Sequence, residues 1–382
     1  MSKWKMVRLG DVVDLLNGFA FKSENYSNNG IRVIRITNVQ KGFIEDLHPQ
    51  FYPIEKANRK YHLFENDLLI SLTGNVGRVA LISKQYLPAV LNQRVACLRI
   101  RNELCVDKNY IFSFLNSNIF ENDCIVSSKG IAQKNMSTEW LKQYQIPLPP
   151  LDEQKRIAKN LDLASGIVKG YKEQLAELDK LVQSVFYEMF GDIKENGKLW
   201  NVAPFSYCAK IDTRMTTDFA KYADYPHIGI DSIEKNTGNI ISCILVKDCD
   251  LKSGKYLFDD RHLIYSKIRP NLNKVAKPNF KGICSADAYP LLPTKQCNRE
   301  YLAMVLRSDC FLDYILAFSN RTNIPKVNKL QLESFSLPLP PIDLQNRFAS
   351  IVTEIEDQKA QIQQALTEAE NLFNSLMQEY FE

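Results

Sequence analysis

Two loops in the first half of the 382-residue chain carry side chains suited to hydrogen-bonding base edges. Thr73-Gly74-Asn75-Val76-Gly77-Arg78 follows an apolar run, and its glycines allow a tight turn that would present Thr73, Asn75 and Arg78 at a strand end. Asn92-Gln93-Arg94 offers carboxamides whose paired donor and acceptor fit adenine, and a guanidinium fork that fits guanine. The second half has a matching loop, Lys267-Ile268-Arg269-Pro270-Asn271-Leu272-Asn273-Lys274, in which Lys267, Arg269, Asn271, Asn273 and Lys274 are the candidates. Arg35, Asn38, Lys134, Ser232 and Lys326 complete the set. A turn that merely needs Gly and Asn explains Gly74-Asn75 equally well. What raises these loops above that reading is their recurrence at matching points of two copies.

Catalytic chemistry is not visible. The Pro-Pro pairs at Pro149-Pro150 and Pro340-Pro341 follow leucine and lack the Asn- or Asp-Pro-Pro-Tyr/Phe pattern of an adenine methyltransferase. The segment Gly191 to Leu199 has the wrong glycine spacing for a phosphate loop and no Ser or Thr after Lys198. His48, His62, His227 and His262 show no short ligand spacing, and the nine cysteines contain no C-x-x-C pair, so neither a metal site nor a disulfide framework is indicated. With no signal-peptide pattern and no apolar run long enough to cross a bilayer, a cytoplasmic protein without membrane contact is expected.

The elements that must position the loops come from an internal repeat. Gln145-Ile146-Pro147-Leu148-Pro149-Pro150-Leu151-Asp152 recurs as Ser336-Leu337-Pro338-Leu339-Pro340-Pro341-Ile342-Asp343, and the same offset pairs Gln154 with Gln345, Arg156 with Arg347 and Phe190 with Phe381. Ile34-Arg35-Ile36-Thr37-Asn38 matches Ile228-Gly229-Ile230-Asp231-Ser232. Each copy begins with short β-branched and aromatic runs (31–39, 67–72, 94–100 in the first) and a helix around 110–116, an α+β texture. Pro150 stops any helix from running through it and leaves Asp152 to cap the next one.

That next helix has a heptad seam. Ile157, Leu161, Ala164, Val168, Tyr171, Leu175, Leu178, Val182, Val185 and Met189 keep 4-3 spacing, and Phe348, Val352, Ile355, Lys359, Ile362, Leu366, Ala369, Phe373, Leu376 and Tyr380 repeat it. Two seams of equal length predict an antiparallel coiled coil with pseudo-two-fold symmetry. At 1.5 Å per residue the first helix spans about 58 Å, the length of a molecular ruler. Ile167, Leu181, Phe186, Ile351 and Leu372 lie off the seam, where they are either a docking patch or a wider core stripe.

The net charge of +4 says little until it is divided. Residues 1–151 hold 19 basic and 13 acidic side chains, residues 193–342 hold 21 and 15, and the helices are acidic, so each module stands at +6. Two similar basic modules at a fixed separation suit two half-sites on one duplex.

The combination of Ile146-Pro147-Leu148-Pro149-Pro150-Leu151-Asp152-Glu153-Gln154-Lys155-Arg156-Ile157, its second copy, Ser184 to Asp192, and the opening Leu9-Gly10-Asp11 with Asn17-Gly18-Phe19-Ala20-Phe21 resembles the DNA-specificity (S) subunits of type I restriction–modification systems. The resemblance implies an α+β fold with target recognition domains at 1–151 and 193–342, followed by coiled-coil helices at 152–192 and 343–382. It further implies a non-catalytic chain that reads a bipartite target in double-stranded DNA. The implied partners are two methyltransferase (modification) subunits, which would bind the S-adenosylmethionine that this chain does not, with an ATP-dependent nuclease subunit as a further partner. The second copy departs from the first where Ser285-Ala286-Asp287 replaces Asn-Gln-Arg, which implies different half-sites. A coiled-coil scaffold whose basic modules bind proteins is the competing expectation.

Overall fold

The computed structural model describes residues 4–128, 135–318 and 325–381 and divides into two compact units, 1–172 with 364–382, and 173–363. The first unit opens with β1 (Met6–Arg8), a single helical turn α1 (Leu9–Val12) and β2 (Val13–Asn17). Strands β3 (Ile31–Ile34), β4 (Phe51–Tyr52), β5 (Leu68–Ser71), β6 (Val79–Leu81), β7 (Ala89–Leu91) and β8 (Val95–Ile100) follow. They form one sheet in the order β2-β8-β5-β6 and another in the order β4-β3-β7. Helices α2 (Lys108–Leu115), α3 (Asn118–Ser127) and α4 (Thr138–Gln143) lead to β9 (Gln145–Pro147), which pairs antiparallel with β1 and so closes the module on itself.

The long helix α5 (Leu151–Phe190) then begins. It starts one residue before the expected cap: the Pro150 carbonyl accepts from the amides of Glu153 and Gln154, both at 3.0 Å. Asp152 therefore lies inside the first turn, where its carboxylate favours the positive helix end without capping it.

The second unit repeats the order with β10 (Val202–Pro204), α6 (Phe205–Cys208), β11 (Ala209–Ile211), β12 (Met215–Thr216), β13 (Pro226–Ile228), β14 (Ile244–Leu245), β15 (Lys255–Phe258), β16 (Leu263–Ser266), β17 (Val275–Ala276), β18 (Gly282–Cys284) and β19 (Ala288–Pro293). Its sheets run β11-β19-β16-β17 and β12-β15-β18-β13-β14. After α7 (Arg299–Arg307), α8 (Asp309–Leu316) and α9 (Lys329–Glu333), β20 (Ser336–Pro338) pairs with β10 and α10 (Ile342–Phe381) closes the chain.

Each unit takes part of both long helices. In the first, Asn160 donates to the Tyr380 hydroxyl at 3.0 Å and Lys172 pairs with Glu370 at 2.8 Å, which sets the helices antiparallel. In the second, Asp179 pairs with Lys359 at 2.6 Å, so the one polar seam residue is neutralised across the helix pair. The expected seam residues of both helices are buried or half-buried. No helix among the described residues is long and apolar enough to cross a membrane.

The repeated glutamine explains why the helix and module act as one piece. Gln154 is fully buried; its carbonyl accepts from the Asp107 amide at 2.8 Å, and its amide donates to the carbonyls of Cys105 and Pro149 at 3.1 and 2.8 Å. Gln345 repeats this with the Asn298 amide and the carbonyls of Gln296 and Pro340. The buried Tyr110 hydroxyl donates to the Pro147 carbonyl, and Tyr301 donates likewise to Pro338. Proline-rich strands have carbonyls without matching amide donors, so side chains must supply the hydrogen bonds.

Candidate nucleic-acid interface

In the first unit the two expected loops lie side by side because their strands do. Strands β5 and β8 pair with Ser71 opposite Val95, and the Leu72 amide donates to the Arg94 carbonyl at 2.8 Å. Gly77 adopts a φ of 80°, and a Cβ there would stand 2.9 Å from Cys124, so the turn is pinned against α3. Thr73 bridges Asn135 and is half-buried, while Asn75, Gln93 and Arg94 are exposed. Arg94 sits at φ 73°, a conformation that pushes its side chain out of the strand line.

Several candidates hold the frame instead. Arg78 is half-buried and donates to the Gln40 carboxamide. Asn92 donates to the Tyr26 hydroxyl at 3.2 Å. Asn38 is 4% exposed; it accepts from the Arg35 amide and donates to the Glu45 carbonyl and the Asp46 carboxylate, each within 2.9 Å. The Arg35 guanidinium donates to the His48 carbonyl at 3.1 Å. A turn with so many unpaired backbone groups recruits its own polar side chains, which corrects the reading of Arg35 and Asn38 as base contacts. Lys134 lies outside the described residues.

The second unit builds the equivalent edge from different side chains. The Lys267 amide donates to the Asp287 carbonyl at 2.8 Å, the counterpart of Leu72 and Arg94, and Ile268 bridges Lys326 as Thr73 bridges Asn135. Arg269, at φ 49°, and Asn271 are exposed on the turn. Lys326 is exposed too, but its ammonium is 3.0 Å from the Asp287 carboxylate. The expectation fails for Lys267, which is 7% exposed with its ammonium 4.5 Å from the Tyr289 ring centre and 5.6 Å from that of Tyr256. Burial, then repulsion from Lys326, pulls its pKa below the usual lysine range. Lys274 donates to the Ile230 carbonyl at 2.8 Å, Asn273 to the Arg307 carbonyl at 2.9 Å, and Ser232 accepts from the Gly229 amide, so these three stabilise turns.

On the helices, Ile167, Leu181 and Leu372 are exposed and Ile351 is half-buried. Phe186 is not a surface residue: it is 2% exposed, within 6 Å of the ring centres of Phe190, Tyr301 and Phe348, because the end of α5 packs on the second module with a stripe wider than the seam. Leu163 and Tyr187, also off the seam, are exposed too.

Comparison with known proteins gives one family. The model described as type I restriction modification DNA specificity domain matches residues 1–177 and again 194–371. The chain is 25% identical over 277 residues to the type I restriction enzyme EcoDI specificity subunit of Escherichia coli, which covers 62% of this chain and 61% of that one. It is 22% identical over 416 residues to the putative type I restriction enzyme MjaX specificity subunit of Methanocaldococcus jannaschii, covering 97% and 92% respectively. The chain thus spans less than two thirds of the EcoDI subunit and 36% of the EcoBI one. Among solved structures, the type I restriction–modification S subunit from M. genitalium superposes with a TM-score of 0.60 at 14% identity, over 100% of this chain and 96% of that one. It shares the fold.

Proposed function

Because the chain belongs to the family of type I restriction–modification DNA specificity domains, we propose that it reads a bipartite sequence in double-stranded DNA, one half-site per unit. The observation that carries this is the contrast between frame and tip. Gln154, Tyr110 and their partners recur as Gln345, Tyr301 and theirs, yet at the same edge the first unit exposes Gln93 and Arg94 where the second has Ala286 and Asp287. Identical frames with different hydrogen-bonding tips suit two sequences read in one way. The chain itself is not the enzyme in this reading. Two modification subunits, each binding S-adenosylmethionine and methylating adenine, dock on the helix faces marked by Leu163, Ile167, Leu181 and Leu372, and a nuclease subunit can join them.

The test is reconstitution with the modification subunit and S-adenosylmethionine, followed by mapping of methylated adenines. A two-part site is expected. Changing Gln93 and Arg94 to alanine should degrade methylation at one half-site by about tenfold to a hundredfold, the worth of a bidentate base contact, and leave preference at the other unchanged. Methylation without sequence preference, or none, would favour the protein scaffold.

A further inference from the structure

Beside Gln93 stands an aromatic ring that the proposed reading does not use. Phe19 is 45% exposed, yet its backbone makes three hydrogen bonds. Its amide donates to the Leu91 carbonyl at 2.9 Å, and its carbonyl accepts from the amides of Gln93 at 2.8 Å and Phe21 at 3.0 Å. The preceding Gly18 donates to the Val95 carbonyl at 3.2 Å and lies so close to the 92–93 peptide that a Cβ would stand 1.9 Å from the Asn92 carbonyl oxygen. Only glycine allows this approach. Behind the ring, Phe21 and Tyr61 each lie 5.2 Å away between centres, and Tyr52 backs Phe21 at 4.9 Å. A large apolar surface is thus held rigidly at the exposed edge that also carries Gln93 and Arg94, with Lys60 over Tyr61 and Arg59 and Lys22 exposed nearby in sequence.

We propose that Phe19 is a DNA wedge: its ring presses against the base stack next to the base pair that Gln93 and Arg94 reach, partly unstacking one step. Rigid aromatics at a basic surface lose little entropy on contact, and apolar side chains inserted at a step add both affinity and preference for easily unstacked sequences. The second unit has no aromatic ring at this place. There β11 pairs with β19 as β2 pairs with β8, Ala209 opposite Pro293 where Val13 is opposite Ile100, which aligns Met215 with Phe19; Met215 lies in β12, paired with Tyr256, and is a flexible thioether without a ring to stack. The aromatic wedge would therefore make the first half-site alone sensitive to the stacking of an uncontacted step.

This rests on the DNA-reading proposal, and the experiment separates the two. The full chain, assembled with its modification subunit, is titrated onto a duplex carrying the methylated sequence, with 2-aminopurine placed at successive steps of either half-site. Wild type should raise the fluorescence at one step of the first half-site and at none of the second. Phe19→Ala should abolish the rise and lower methylation about tenfold, the order of one base–aromatic stack. Phe19→Leu, which keeps bulk against Phe21 and Tyr61, should preserve the melting temperature, remove most of the rise and cost severalfold in methylation. No fluorescence rise with wild type, or an undiminished rise in Phe19→Leu, overturns the wedge. If Gln93→Ala with Arg94→Ala loses methylation while both Phe19 variants keep it, the wedge fails and the reading stands; if wild type neither binds nor methylates the duplex selectively, the reading itself fails.

Discussion

At one matching pair of positions the two units carry opposite charges on the same backbone. In the first, the residue whose carbonyl accepts from Leu72 is Arg94, exposed and, among the described residues, without a side-chain acceptor; in the second it is Asp287, whose carbonyl accepts from the Lys267 amide and whose carboxylate holds Lys326 at 3.0 Å. The sheet order β2-β8-β5-β6 corresponds to β11-β19-β16-β17, and the backbone bond across the turn is 2.8 Å in both. A duplicated frame can thus exchange its tips without disturbing the hydrogen bonds beneath. Buried pairing fixes the frame, since an unmade buried hydrogen bond costs about 1–3 kcal/mol, whereas exposed tips are almost free to vary.

The largest expected effect comes from breaking the shared frame. Replacing Gln154 by alanine leaves the Asp107 amide and the carbonyls of Cys105 and Pro149 without that partner, and Gln345→Ala does the same around Asn298. Each should cost about 3–5 kcal/mol in its own unit, from several unsatisfied groups at once. Urea unfolding of the full chain followed by hydrogen exchange would localise the loss. Losses that differ between the variants by more than about 2 kcal/mol would show that the frames are not equivalent.

Removing one heptad from each helix, 175–181 and 366–372, keeps the seam in phase and sharpens the division between reading and spacing. Each helix shortens by about 10 Å, so the unread spacer should fall by about three base pairs while both half-sites persist. The methylation map reads this directly. An unchanged spacer, or an altered half-site with the spacer intact, would mean that the helices do not set the distance.

A smaller effect follows from the opposite tips. Asp287→Ala frees the Lys326 ammonium and removes a negative charge from the second edge. Duplex affinity should rise a fewfold at 0.1 M salt, and the slope of log affinity against log salt should steepen by about 0.9, as for one added phosphate contact. An unchanged slope would mean that this edge does not meet the phosphates.

How much of this was legible in the chain depends on which group does the positioning. The heptad seams were readable because period alone places Ile157 to Met189 on one face, and Lys359 was visible as the exception though Asp179 as its partner was not. The repeat pairs Gln154 with Gln345, and only the structure shows that they staple the helix to its module. Asn38, Arg35 and Lys267 misled for a common reason: residue type predicts what a side chain can bind, while the local supply of carbonyls, amides and aromatic faces decides what it does bind. Phe19 was visible only as part of a motif, since its exposure and the backing by Phe21 and Tyr61 arise from residues 40 positions apart.

Lys267 offers the finest discrimination. An ammonium enclosed by Tyr289 and Tyr256 cannot meet a phosphate without leaving them, so Lys267→Met should leave the salt slope unchanged, whereas Arg269→Ala should lower it by about 0.9. The stability change has a defined sign with pH. Because burial lowers the folded pKa, the unfolded chain binds more protons between that value and 10.5, and wild-type stability rises with pH through this window. The burial penalty is fully present below the window, at neutral pH, and is relieved above it. Methionine keeps the stem packing, removes the penalty and forfeits a cation–π attraction of up to about 2 kcal/mol, so the net change at neutral pH is small. Whatever its value there, the stability of Lys267→Met relative to wild type should fall as the pH is raised toward 10. A relative stability that stays flat with pH would place the ammonium in solvent, and one that climbs would place it beside an acid; either would return Lys267 to the set of phosphate contacts.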